Sequence, residues 1–289
     1  MSYLFSDEWG TYIGLDRILM SLEGFPGEFE ALRLALYVAE CSNAVVHVLH
    51  VAEDADGKEA IFRELVERAS AKASTMRVKL EVEAIRGGDA AKLILDREEP
   101  YDLIVIGGKR RLREELFGSV SSSIIRWSKK PVIAVTSPLT RLEDFEKPLR
   151  KILVSIRNLD EDRAAMKLAA MLTSSATPKD FTITALHVVT LHPSTPISAT
   201  DDEAVREEER AFLKEVGELS RHIARPISPQ VLVGRSIERS IVKFGERYGF
   251  DLIILGERDK PGPLKRIIGA KALYVARKAP CAVAIIYRP

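Results

Sequence analysis

The chain repeats itself, and this constrains its fold more than any other feature. Arg17-Ile-Leu-Met-Ser-Leu22 recurs as Lys151-Ile-Leu-Val-Ser-Ile156. Val46-His-Val-Leu-His-Val51 is echoed by Ile183-Thr-Ala-Leu-His-Val188, which sets His50 against His187. Asp102-Leu-Ile-Val-Ile-Gly107 returns as Asp251-Leu-Ile-Ile-Leu-Gly256, and Pro131-Val-Ile-Ala-Val135 is matched to Cys281-Ala-Val-Ala-Ile285. Four blocks in one order at similar spacing indicate a duplication, so the repeat unit is the domain. A length of 289 residues agrees, being about twice that of an ordinary domain.

Each unit alternates strand and helix patterns. Phe29, Leu32, Leu36 and Ala39 recur at helical spacing, as do Ile61, Leu65 and Ala69. In the second copy Ala165, Leu168 and Leu172 do so, then Phe212, Val216 and Leu219, then Ile237, Ile241 and Phe244 with Ser236 as N-cap. Five strands separated by four helices imply a parallel sheet covered on both faces. Leu103–Ile106 is wholly apolar, as a central strand is. Val78, Leu80, Val82 and Ala84 alternate with polar residues, and the matching strand contains Pro229, so the third strand is an edge in both copies. With right-handed crossovers the expected fold is α/β, two tandem doubly wound five-stranded parallel sheets of order 3-2-1-4-5. The expected domains are 17–137 and 150–289, with 138–149 as linker. The two fifth strands, Val132–Val135 and Ala282–Ile285, are short, apolar and unguarded by charge. They are therefore expected to cover one another in an intramolecular pseudo-dimer, with a homodimer beyond that permitted.

Composition excludes several function classes. A net charge of +1 lacks the basic bias of a nucleic-acid binder. Two cysteines at opposite ends form neither a disulfide framework nor a zinc spacing, which suits a reducing, cytoplasmic setting. The first sixteen residues carry acids and do not form a signal peptide, and no apolar run approaches membrane-spanning length. No Walker loop, nucleophile elbow or metal-binding histidine pair occurs, so catalytic and metal residues are expected to be none.

In open α/β sheets the ligand crevice lies at the carboxyl ends of the strands where the winding direction reverses, here after strands 1 and 4. After strand 4 the first copy reads Gly107-Gly108, then Lys109-Arg-Arg-Leu-Arg113-Glu-Glu, then Gly118-Ser119-Val-Ser121. Glycines allow close backbone approach, and a helix starting near Ser119 points amides and its positive dipole end at an anion. Hydroxyls of Ser119 and Ser121 would complete such a cradle. Glycines there equally serve a tight turn, and the basic run is either a phosphate clamp or a solvated loop face. His50 and His187, ending buried strands near the crevice, read as hydrogen-bonded structural groups.

The strand-Gly…Gly-Ser-helix layout, the His-Val ending of strand 2 and the closing Pro-Val strand resemble the universal stress protein family, across nearly all of both copies. That resemblance implies an adenine nucleotide alpha hydrolase-like fold and a regulatory stress-response role. In one branch it also implies binding of ATP or AMP through Gly, two residues, Gly, nine residues, Gly-Ser/Thr. It further implies an acid after strand 1 supporting the adenosine, here Glu23, and base contacts from the end of strand 2, at Val51 or Ala52 and at Val188 or Val189. The first loop is two residues shorter than the family pattern and has Arg110 at its middle glycine position. In the second copy Gly256 and Gly269 keep the spacing, but Asp259, Ala270 and Arg157 replace the middle glycine, the hydroxyl and the acid. The first copy is thus expected to be the nucleotide site and the second a degenerate one. The alternative is a structural or interaction protein on the same scaffold, and an enzyme acting on a nucleotide phosphate lacks a base or metal cluster.

Overall fold

The computed structural model describes residues 14–22, 28–52, 59–107, 118–135, 149–174, 181–191, 203–223, 225–257 and 269–287. Glu23, Gly108, the basic run Lys109–Arg113, Asp259 and nearly all of the expected linker lie outside them.

The first half runs β1 (Arg17–Leu22), α1 (Phe29–Ser42), β2 (Val45–Ala52), α2 (Glu59–Met76), β3 (Lys79–Arg86), α3 (Ala90–Asp96), β4 (Leu103–Gly107), α4 (Ser119–Trp127) and β5 (Val132–Val135). The second half repeats the order with β6 (Lys151–Ser155), α5 (Arg163–Leu172), β7 (Thr182–Thr190), α6 (Glu203–His222), β8 (Ile227–Gly234), α7 (Ile237–Tyr248), β9 (Leu252–Glu257), α8 (Ala270–Lys278) and β10 (Ala282–Tyr287). Among the described residues the strands form one sheet, β3-β2-β1-β4-β5-β10-β9-β6-β7-β8. Each half is parallel and has the order 3-2-1-4-5; β3 and β8, with its Pro229, are the two outer edges. None of the described helices is long and apolar enough to cross a membrane.

The repeated aspartates explain why the strongest sequence echo is where it is. Asp102 accepts from the amides of Asp16 and Arg17 at 2.9 and 3.0 Å, and Asp251 accepts from those of Arg150 and Lys151, both at 2.8 Å. Each aspartate fixes the start of its half's first strand against the fourth, at the end of the sheet opposite the crevice. Ser236 caps α7 as its spacing predicts, accepting from the Arg239 amide at 3.3 Å.

Side chains alternate across the sheet between two cores. Ile18, Met20 and Val105 face α1 and α2, while Leu19, Ile104 and Ile106 face α3 and α4. In the second half α5 and α6 continue the first core, and α7 and α8 the second. Cys281 lies in that second core; burial first, then the nearby Asp251 charge, push its thiol up to about 12.

The halves meet where β5 and β10 pair antiparallel, Val132 with Ile285, Ile133 with Ala284 and Ala134 with Val283. Their register against β4 and β9 corrects one alignment. Val132 lies beside Ile104 and Val283 beside Ile253, so Pro131 corresponds to Ala282 and not to Cys281. An apolar strand without distinctive residues slides easily by one in a sequence comparison, whereas the ladder has a single register. With that equivalence Ile133 pairs with its own counterpart, Ala284, and an approximate twofold axis passes through this pair. Beside it α1 contacts α5, and the Tyr37 hydroxyl donates to the Leu172 carbonyl at 2.6 Å.

Candidate functional site

The two crevices are built from equivalent strand ends. Leu22 pairs with His50 and Ser21 with Ile106, so the ends of β2, β1 and β4 stand side by side. Val51 and Gly107 are thus separated by one intervening strand, about 10 Å of sheet. In the second half Ser155 lies level with Leu186 and Leu255, which aligns Val188 and Gly256 in the same way. Each histidine ties strand 2 to the exit of strand 1. His50 Nδ1 donates to the Leu22 carbonyl at 2.9 Å, and its ring stacks on Phe62 with centroids 4.1 Å apart. His187 Nδ1 donates to the Ile156 carbonyl at 2.9 Å, while its Nε2 lies 2.9 Å from a Glu208 oxygen. Because a carbonyl only accepts, Nδ1 carries the proton in both rings.

The glycines ending β4 and β9 have a packing duty. A Cβ on Gly107 would lie 2.8 Å from Glu28 Cγ and 3.2 Å from Glu28 Cα. A Cβ on Gly256 would lie 2.0 Å from Asp162 Oδ1. Glu28 and Asp162 occupy equivalent positions, each directly ahead of the helix that follows strand 1, and both are buried. Glycine is required here so that the acid can sit against the strand end, whether or not a ligand is present. The acids themselves escaped the sequence reading, which looked for a carboxylate at Glu23. The available signal was an acid six residues past the aligned positions Leu22 and Ile156, immediately before a helical apolar pattern.

From this common plan the two crevices diverge. In the first, the Ser121 hydroxyl is buried and donates to the Gly107 carbonyl at 2.9 Å, locking the first turn of α4 to the strand end. Its hydroxyl is therefore engaged with backbone, while Ser119, at the start of the same helix, is exposed. The first turn of α4 holds no acidic residue. In the second, Ala272 stands at the Ser121 position, and Arg157 serves the strand end instead. Its guanidinium donates to the Gly256 carbonyl at 3.3 Å and lies 3.7 Å from Asp162 Oδ1. Asp162 Oδ2 accepts from the amides of Arg157 and Asn158 at 2.8 and 3.4 Å. Burial raises the Asp162 carboxyl above its ordinary value, and the amide and charge of Arg157 pull against that rise. At Gly269, the N-cap of α8, the Glu257 carboxylate reaches to 3.1 Å of the position a Cβ would take.

Among the described residues no group of His, Cys, Asp and Glu could hold a metal ion. The comparison with family models gives the decisive observation: residues 14–136 and 148–287 each match the Universal stress protein family. The chain belongs to the universal stress protein family. A universal stress protein of Methanocaldococcus jannaschii is 27% identical over 153 residues, covering 51% of this chain and 88% of that protein. A universal stress protein from Archaeoglobus fulgidus shares the fold with a TM-score of 0.61 at 18% identity, over 94% of this chain and 98% of its own. A functionally unknown protein from Pseudomonas aeruginosa does so with a TM-score of 0.68 at 17% identity, over 95% of this chain and 93% of its own. This universal stress protein is thus a tandem member whose two described strand ends share a frame and differ in the group that holds the glycine carbonyl, Ser121 in one and Arg157 in the other.

Proposed function

We propose that this tandem universal stress protein is a regulatory module that binds an adenine nucleotide, ATP or AMP, in its first half and none in its second. The supporting observation is the helix end after strand 4. In the first half α4 opens on Gly118 and Ser119 with no acid in its first turn, held against β4 by Ser121. Such an end offers amides and a positive dipole to a phosphate group. In this reading Gly107, Gly108, Gly118 and Ser119 border the phosphates, with Ser121 as a support. Glu23 supports the adenosine, and backbone at Val51 meets the base. The second-half equivalents, Val188, Gly256 and Gly269, frame a site without a nucleotide. Residues 17–137 and 150–289 act as the two domains, held as a pair within one chain by the fifth strands. Among the described residues none supplies a placed base with an in-line nucleophile, and in this reading the role is regulatory, with ATP turnover at background.

The test is direct. Purified protein is denatured, and the released small molecules are identified by absorbance and mass; titration calorimetry then follows ATP binding to the full chain. One site per chain is expected, lost on Gly118→Val, because a branched side chain obstructs the amides. Two equal sites, or binding insensitive to Gly118→Val, would overturn the reading. Absence of any nucleotide binding would leave a scaffold that acts through its surfaces alone.

A further inference from the structure

His50 and His187 hold equivalent places, yet their second nitrogens meet different surroundings. Among the described residues His50 is bonded through Nδ1, to the Leu22 carbonyl, and its ring stacks on Phe62 of α2. Glu59 of that helix bonds Arg63 instead, at 2.6 Å. His187 is bonded through both nitrogens, Nδ1 2.9 Å from the Ile156 carbonyl and Nε2 2.9 Å from a Glu208 oxygen. A carbonyl and a carboxylate accept and do not donate, so both bonds form together only when the ring carries two protons. The neutral ring, with Nδ1 protonated, turns a lone pair toward Glu208. Phe212 packs on His187 as Phe62 does on His50, and four residues ahead of these phenylalanines stand Glu208 in the second copy and Lys58 in the first. The acid is thus peculiar to the second half. The rest of the setting is apolar: β8 has no ionisable residue, and β7 none besides His187. At the β6 exit the neighbouring Arg157 guanidinium turns to the Gly256 carbonyl and Asp162, and farther along α6 Glu215 lines a groove with Asp160.

We propose that His187 and Glu208 form a proton-controlled clasp that pins α6 to the exits of β6 and β7 in the second half, closed when the ring is doubly protonated and loosened when it is neutral. Histidine is the side chain whose charge changes roughly between pH 5 and 8, which makes it suited to such a switch. The His187 side chain is 12% exposed and that of Glu208 51%, so the acid swings out to water when the ring is neutral and leaves no buried charge behind. Protonation and closure favour one another, so α6 is held more firmly on the acid side of that range and less firmly on the alkaline side. In the first half an aromatic stack takes the place of the ion pair, and α2 keeps its hold on both sides. The clasp needs no ligand and stands apart from the nucleotide reading.

The experiment is amide hydrogen exchange on the ligand-free full chain, read by mass spectrometry at about pH 6 and about pH 8, on either side of the histidine range. After correction for the intrinsic pH dependence, α6 peptides should exchange about two- to fivefold faster at the higher pH, the size of an exposed ion pair. The α2 peptides should show no such step. In Glu208→Gln the side-chain amide accepts from the charged ring or donates to the neutral one, so the contact survives titration and the α6 step should vanish. His187→Asn keeps a donor for the Ile156 carbonyl and does not titrate, and should abolish the step as well. A step arising from His192, which lies outside the described residues, would survive Glu208→Gln. That result, an equal step in α2, or no step in the parent overturns the clasp.

Discussion

The same strand-end frame appears twice in this molecule, held in each half by a different group. In both halves a buried acid, Glu28 or Asp162, packs beneath the glycine that ends the fourth strand. In the first half that glycine's carbonyl is held by a neutral hydroxyl, from Ser121. In the second half the carbonyl is held by Arg157, and Glu257 stands at the helix end. The glycine packs against a buried acid in both copies, so a matching glycine alone is poor evidence of a matching ligand site.

The largest test of the shared frame is steric. Gly107→Ala and Gly256→Ala should each destabilise the protein by about 1–3 kcal/mol, the usual range for overpacking, without any ligand present. Gly256→Ala should lie at the upper end, since Asp162 is pinned by two backbone amides and cannot swing away. Chemical denaturation of the ligand-free chain measures both. If either variant is as stable as the parent, the glycine is there for ligand and not for packing.

A smaller effect separates the two ways of holding the strand end. Ser121→Ala converts the first half to the alanine of the second, at position 272, without supplying an arginine. It should cost about 1 kcal/mol, the worth of one hydrogen bond to a buried carbonyl. A denaturation midpoint unchanged from the parent would mean that the hydroxyl contributes nothing to the lock. Arg157→Ala should cost less, under about 1 kcal/mol, because an ion pair with a well-exposed member is weakened by solvent.

The finest distinction is a slope with pH. Asp162 has a folded-state value raised above the ordinary 3.8, chiefly by burial. The folded chain therefore holds this proton more tightly than the unfolded chain does. Its contribution to stability falls as pH climbs from about 3.8 through the raised value, and is fully lost above it. Asp162→Asn keeps an oxygen for the two amides and removes the titration. The stability of the parent relative to this variant should thus decline with rising pH across that window. A flat or rising difference curve would show that burial does not raise the Asp162 carboxyl in the folded chain.

Much of the architecture was legible before any coordinates, for a physical reason. Burial imposes a period of two on strands and 3.6 on helices, and the duplication writes both patterns twice. The apolar run at Leu103–Ile106, the proline at 229 and the cap at Ser236 each name their place through local chemistry. The location of the crevice follows as well, because strand order fixes where the winding reverses.

The occupant of each crevice is a different matter. Glu28, Asp162 and Glu257 act through neighbours distant in sequence: Glu28 under Gly107, Asp162 under Gly256, Glu257 beside Gly269. A charged residue in a loop has the same appearance in a sequence whether it points to solvent or onto a helix end. Ser121 illustrates this, having every mark of a ligand contact and turning out to bond the backbone of its own strand end. The one-residue shift at Pro131 and Ala282 has the same origin, since only the hydrogen-bonded ladder distinguishes one small apolar residue from the next. Sequence determined the repeat, the order of the sheet and the place of the site, because these follow from periodic burial. Tertiary structure alone decided which charges reach that site, because electrostatics depends on distances that the chain sets only after it has folded.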